Sequence, residues 1–303
     1  MKKILLFFSL LCMFLVSCTN EEPISPEFQS QNDVEVISFN DDPTILQLSN
    51  LNDSLMSISS NVESRGKFWN IFKKVCKIAF ADIKGAYNGY KWGSIFGPVG
   101  SWVGASVVGI GSSAIAGIDE FSRAPLQLVS QSDVEAAYVI TVCDPNFESN
   151  KLLVGERVKI DIPQEHISTV ELGKVHNLTL KTLQTKDLST VNIENGFSTE
   201  EIEILHSTKF QNYYTSYLND SNAFDLDFAL SDSNSKEEYI VQLFLDLYKN
   251  YPSDIDDVNF IINEYIHIIE QDTLLTTEEK QVIYTAIAMA GYSTDYWDQT
   301  LSQ

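Results

Sequence analysis

Residues 85–117 read GAYNGYKWGSIFGPVGSWVGASVVGIGSSAIAG, and the way this glycine is used decides the fold. Gly85, Gly89, Gly93 and Gly97 recur at every fourth position, which on an α-helix places all four on one side. A stripe without side chains lets a second backbone approach closely. Glycine costs a helix about 1 kcal/mol per residue against alanine, so four in register imply a compensating contact. Gly97-Pro98 then breaks the run, because proline lacks an N–H donor but suits the first turn of a new helix. Gly100 and Gly104 resume the spacing. The pattern predicts two helices, 84–96 and 98–117, folded on each other along Gly85, Gly89, Gly93, Gly97, Gly100 and Gly104.

Two other uses of the same stretch have to be weighed. Val107–Ala114 (VVGIGSSA) fits GxGxxA, but a dinucleotide site needs a strand before the first glycine and a helix opening after it. Here the four-residue period runs straight through, Pro125 closes any following helix early, and no βαβ alternation follows. The helix-packing reading is preferred. Trp92 through Ile118 also contains no charged residue and is long enough to cross about 30 Å of hydrocarbon. Its many serines and glycines are unlike the Leu/Ile runs of a constitutive span, so insertion would suit an oligomer or a triggered state.

Upstream, Phe68, Ile71, Phe72, Val75, Ile78 and Phe80 recur at helical spacing, with Lys67, Lys73, Lys74, Lys77 and Lys84 filling much of the rest. This is a basic amphipathic helix, which either lies on an anionic lipid surface or covers a soluble core. On the lipid reading Lys73, Lys74 and Lys77 face the headgroups, and Trp92 and Trp102 are interfacial anchors. The island is unusual in this chain. Residues 65–91 hold seven Lys/Arg and a single acid, Asp82, whereas the whole protein carries a formal charge of −22. Such a field repels phosphates, so no nucleic-acid partner is expected.

The chain starts MKKILLFFSLLCMFLVSCTN. Lys2 and Lys3 precede an apolar core too short to span a bilayer, which is the pattern of a secretory signal over residues 1–17. Leu15-Val16-Ser17-Cys18 resembles the lipobox of bacterial lipoproteins, which implies that Cys18 carries the lipid. Residues 19–64 contain no Lys or Arg, and 18–64 is expected to be an acidic, partly disordered tether. Its acidic start resembles the signal that directs some Gram-negative lipoproteins to the outer face of the outer membrane. Two further cysteines remain, Cys76 and Cys143, which either pair or are separate thiols. Neither CxxC nor a Cys/His cluster occurs, so no metal site is expected.

The remainder, 119–303, reads as an acidic and mostly helical domain. Ala137–Val142 (AYVITV) and residues 152–160 have strand propensity, which suggests a minor β element near 137–160. Helical punctuation follows. Pro163 opens one helix, and Ser198-x-x-Glu201, Ser235-x-x-Glu238 and Thr276-x-x-Glu279 are capping boxes ahead of apolar stripes. Pro252 and Gly291 supply stops, and a bundle of five or six helices is expected. The fold class is therefore mainly α: a Gly-zipper hairpin (65–118, with its basic helix) plus a C-terminal bundle.

No HExxH, GxSxG or calcium-loop frame is present, and neither catalysis nor a cofactor is expected. Among four histidines, His176 next to Asn177 is the best polar candidate, because the pair lies on a helix that otherwise shows an apolar face. A hydrogen-bonded structural role is expected for it.

Two resemblances cover more of the chain. Residues 65–118 resemble Gly-zipper peptides and the mature region of Gly-leader bacteriocins. The glycine-rich segment, Gly173-Lys174-Val175-His176-Asn177-Leu178 and the terminal AMAGYSTDYW together resemble a group of uncharacterised Gram-negative lipoproteins. That group has a glycine-rich middle, a G-x-x-H-N-x-x-L helix and a near-terminal Tyr-Trp. The second resemblance supports the architecture and brings no activity with it. The leading expectation is a non-enzymatic, lipid-anchored outer-membrane protein at the cell surface, whose hairpin inserts into or contacts membrane. The alternative is an interaction or scaffold lipoprotein with the hairpin as permanent soluble core, and a third reading is a surface ligand-binding protein. Partners would be the membrane, through the lipid, and an envelope protein or a second copy.

Overall fold

The computed structural model describes residues 39, 41–60, 67–121, 130–188, 191–220 and 235–301, all within one compact unit, Ile37–Gln303. The expected signal segment, Cys18 and the first part of the expected tether lie outside the described residues. Among the described residues the chain is helical and contains no strand. The α-helices are α1 Pro43–Ser60, α2 Lys67–Gly93, α3 Gly97–Phe121, α4 Gln131–Val142, α5 Phe147–Leu152 and α6 Ser168–Thr185. They continue with α7 Thr199–Leu205, α8 Thr208–Asn219, α9 Lys236–Asn250, α10 Ile255–Glu270 and α11 Thr277–Leu301.

The hairpin is α2 against α3. The basic amphipathic segment and the first glycine run are one continuous helix of 27 residues, not a surface helix followed by a separate one. The physical reason is that Phe72, Cys76, Ala79, Phe80, Ile83, Ala86 and Tyr87 keep a single buried stripe going through Gly85. A short 3-10 turn, Ser94–Phe96, leads into Gly97, which adopts φ +79° and ψ −169°. That backbone conformation is close to glycine-only.

Two apolar clusters share α2. One gathers α1, α9, α10 and α11 on its Phe72/Phe80/Ile83 side, with Tyr248, Tyr265 and Tyr284 fully buried. The other gathers α3, α4, α6, α7 and α8 on its Val75/Ile78 side, with Phe210 and Leu205 at 0 % exposure. Burying such side chains is worth about 1.5–3 kcal/mol each, and that is what orders so acidic a chain.

Four expectations are corrected. First, half of the expected tether is fold: α1 buries Ile45, Leu48 and Leu55. Asn52 fixes its register, donating to the Leu243 carbonyl at 2.8 Å and accepting from the Tyr265 hydroxyl at 2.8 Å. Second, AYVITV is the end of α4. Ser130 and Asp133 close a capping box, and Val134, Ala137 and Val139 find a buried face, so packing overrides β-propensity. Residues 158–161 form no strand, and two asparagines one turn apart on α10 take up their backbone groups instead. Asn259 accepts from Lys159 N–H (2.9 Å) and donates to the Arg157 carbonyl (2.8 Å). Asn263 does the same for Asp161 N–H (3.0 Å) and the Lys159 carbonyl (2.7 Å).

Third, Gly291 is not a stop: α11 runs through it to Leu301, and a Cβ there would sit 2.8 Å from Ile160. Fourth, the boxes at Ser198/Glu201 and Thr276/Glu279 close, but that at Ser235 does not. Glu238 instead lies 3.5 Å from Lys91 of α2, and the Ser235 hydroxyl is buried without a partner among the described residues.

Candidate functional site

The glycine stripe joins two backbones. A Cβ on Gly89 would lie 2.2 Å from the Gly104 carbonyl oxygen, and one on Gly104 would lie 2.0 Å from the Gly89 carbonyl. Gly93 and Gly100 oppose each other in the same way, at 2.0 and 2.4 Å. Gly85 faces Ser112 rather than a glycine. Gly97 is not in the seam: a Cβ there would meet nothing within 4 Å, and its value lies in the turn.

Towards the N-terminus of α2, the position that follows Gly93, Gly89 and Gly85 on this face is Asp82. It is completely buried. The Ser293 hydroxyl of α11 donates to its Oδ2, and His176 Nε2 of α6 lies 3.8 Å away. Asp82 Oδ1 and His176 Nε2 have no hydrogen-bond partner among the described residues. Burial pushes the Asp82 carboxyl up from 3.8 to about 8, with Ser293, Ser113 and Trp297 pulling the other way. Burial pushes His176 down from 6.5 to about 4, against Asn177 and the Gly109 carbonyl. Near pH 7 both groups are therefore held neutral.

The three motifs that stand far apart in sequence thus meet at one junction. His176 Nδ1 and Asn177 Oδ1 are 3.2 Å apart, and Asn177 Nδ2 donates to the Tyr292 carbonyl at 2.8 Å. The Tyr292 ring fills the space that side chains at Gly155 and Gly173 would take. Trp297 Nε1 donates to Ser113 Oγ of α3 at 3.2 Å. A hydroxyl, an imidazole and a carboxyl are assembled here, but not as a nucleophile with its base. Ser293 donates to the carboxyl and not to the histidine, and all three side chains are enclosed by protein.

The membrane-surface candidates separate. Lys73, Lys74 and Lys77 are exposed along α2. Trp92 is instead stacked on Tyr213 of α8, with ring centroids 4.3 Å apart and planes at 8°, and it also meets Phe96 and Phe210. Trp102 is partly buried against the α1/α9/α10/α11 cluster. Cys76 is buried and Cys143 exposed, both as free thiols. Among the described residues no three His, Cys, Asp or Glu side chains converge as a metal-ligand set.

Asp82 carried no motif in the sequence, and Ser293 entered only within the terminal AMAGYSTDYW, without a role of its own. The available signal was that Asp82 is the lone acid within a basic stretch. Searches of family models, curated proteins and solved structures found no match to this chain.

Proposed function

We propose that this protein is a non-enzymatic, lipid-anchored envelope protein of the interaction type, in which the Gly-zipper hairpin is permanent core. The observation that carries this is the enclosure of the hairpin. The most apolar 18-residue window within Ile71–Gly117 is 83 % buried inside the fold, and Val107, Val108, Ile110 and Ala114 have no exposure. A hairpin meant for lipid would have to leave α11 on one side and α4, α6, α7 and α8 on the other. It would also carry Asp82 with it, and a lone carboxyl in hydrocarbon is costly.

The chemistry of the junction supports a non-catalytic reading, since its acid, base and hydroxyl face one another with no solvent-exposed atom among them. The anchor at Cys18 rests on the Leu-Val-Ser-Cys sequence, and the acidic segment after it supports the outer-membrane address.

The test uses the non-lipidated protein, Cys18→Ala, with and without Gly93→Leu, on anionic vesicles loaded with dye. The expected outcome is no dye release from either form, with the Tm of the Gly93→Leu protein lower by roughly 10 °C. Dye release by the first form and its loss in the second would establish the inserting, toxin-like reading instead.

A further inference from the structure

Beyond Asn177 the seam between α6 and α11 opens into a cleft of about 490 Å3, closed on its third side by α5 and the Leu153–Gly155 turn. Sites for small ligands commonly fall between roughly 300 and 1,000 Å3. The cleft is built by helix faces at three- and four-residue spacing: Asn177, Lys181 and Thr185 from α6, and Tyr296, Gln299 and Thr300 from α11. Its floor is polar and already satisfied. Asn177, 3 % exposed, spends its amide on Tyr292 and His176. Asp295, 1 % exposed, accepts from Arg157 Nε at 2.6 Å and from Gln299 Nε2 at 2.9 Å. The floor is therefore rigid and its carboxylate is neutralised.

The rim differs from the rest of the protein. The protein has 42 carboxylates against 20 Lys and Arg, and several of its cations are held by carboxylates. Lys91, Lys151, Arg157, Lys174, Lys236 and Lys280 each have a carboxylate within 4 Å. Lys181 and Lys186 both line this cleft, both are exposed, and neither has an ion pair among the described residues. Asp144 is the other carboxylate of the lining, and its Oδ1 is used by the Asn146 N–H at 2.8 Å. Between rim and floor stand hydroxyls and amides, including Thr182 and Gln184, and one wall offers Leu178 together with Phe147, whose ring also carries the Lys151 ammonium 4.9 Å from its centroid. Thr185 Oγ1 already donates to the Lys181 carbonyl at 2.7 Å, and Thr182 Oγ1 accepts from Thr141 at 2.9 Å. Gln184 Oε1 accepts from the Tyr296 hydroxyl at 2.9 Å, and Gln299 Nε2 donates to Asp295. That leaves an acceptor on Thr185, donors on Thr182 and Gln184 and the Gln299 carbonyl for an alcohol-rich ligand, and an apolar wall accepts the C–H face of a sugar ring.

We propose that this cleft binds an anionic sugar: a ring of hydroxyls held by Thr182, Thr185, Gln184 and Gln299, with its acidic group at Lys181 and Lys186. The anion is carried by a carboxylate or a phosphate on the ring. The placement gives the third reading of the sequence, a surface ligand-binding protein, the pocket it lacked. It stands whether or not the hairpin is permanent core.

Titration calorimetry of the intact protein with glucuronate, glucose 6-phosphate, glucose and inorganic phosphate tests it. One or both acidic sugars should bind saturably, with glucose and inorganic phosphate each weaker by roughly tenfold or more. Lys181→Gln combined with Lys186→Gln should weaken the acidic sugar by about tenfold and leave Tm unchanged, since rim lysines carry little stability. Thr185→Trp, which fills the mouth from an exposed position, should abolish binding. Glucose binding as tightly as the acidic sugars overturns the role of the lysines. Inorganic phosphate binding as tightly reduces the site to an anion patch and overturns the sugar assignment. Absence of binding by every probe up to about 10 mM, or binding untouched by the lysine changes, overturns the proposal outright.

Discussion

The α2–α3 seam and the α6–α11 seam are both helix pairs closed by glycine, yet they are built on opposite principles. At the first, glycine meets glycine and the contact is backbone on backbone, with nothing able to rotate away. At the second, Gly173 makes room for a ring, and Tyr292 is held there between Gly155 and Gly173. The first seam ends at a buried acid, the second continues into an open cleft. A seam without side chains has no adjustable parts and can only be closed or broken. A seam of side chains can keep polar groups, spacing and a cavity.

The largest effect expected from breaking this contrast is Gly104→Ala. Its methyl would sit 2.0 Å from the Gly89 carbonyl oxygen, so the helices must separate along their length. A loss of about 3 kcal/mol or more is expected, read as the shift of a urea unfolding midpoint at constant m. Gly97→Ala probes the same hairpin by a different route. Nothing crowds the new methyl, and only the backbone at φ +79° resists it. A cost of about 2 kcal/mol is expected, without loss of the close helix packing. If Gly97→Ala were to cost as much as Gly104→Ala, the turn and not the seam would be what holds the pair together.

The smallest effect is the sharpest, because it depends on pH. The folded state keeps the Asp82 proton up to about pH 8, while the unfolded chain loses it near 3.8. Between those values the unfolded state binds fewer protons, so stability falls as pH rises, and levels above about 8. His176 acts with the opposite sign: the fold releases its proton near 4 and the unfolded chain near 6.5, so stability rises with pH across that window. The two slopes oppose each other from about 4 to 6.5, which leaves a net decline between about 6.5 and 8. Asp82→Asn keeps the shape and removes the proton. It should abolish that decline, so that the stability of the variant relative to the parent rises by up to about 2 kcal/mol between urea melts at pH 6.5 and pH 8. Parallel pH profiles for the two proteins would show that Asp82 does not titrate in this window.

What the sequence shows and hides follows the range of each interaction. The mainly helical class, the hairpin and its glycine face depend on period and local breaks, and they can be read directly. The capping boxes at Ser198 and Thr276 are local and present, whereas the one at Ser235 is overruled by Lys91 on a distant helix. Strand propensity at AYVITV and in residues 157–161 misleads for the same reason, since α-helical neighbours and two asparagine side chains decide the outcome. His176 and Asn177 stand out as a polar pair on an apolar face. Their partners on α2 and α11, Asp82, Tyr292 and Ser293, have no fixed spacing from them and are visible only in three dimensions. The cleft is less legible still, because a cavity is defined by where three helices leave space.

The position of α11 along the chain has a consequence for how the protein is made. The hairpin is complete at Phe121, but the helix that covers one flank of α2 and supplies Ser293 to Asp82 begins only at Thr277. During synthesis the most apolar part of the protein is therefore finished first and sheltered last. In that interval it is an intermediate whose bare flank and unpartnered acid must be chaperoned or kept apart from other copies. A stop codon or a proteolytic cut ahead of α11 would leave the protein in that state, with the α11-facing flank of α2 as part of its surface.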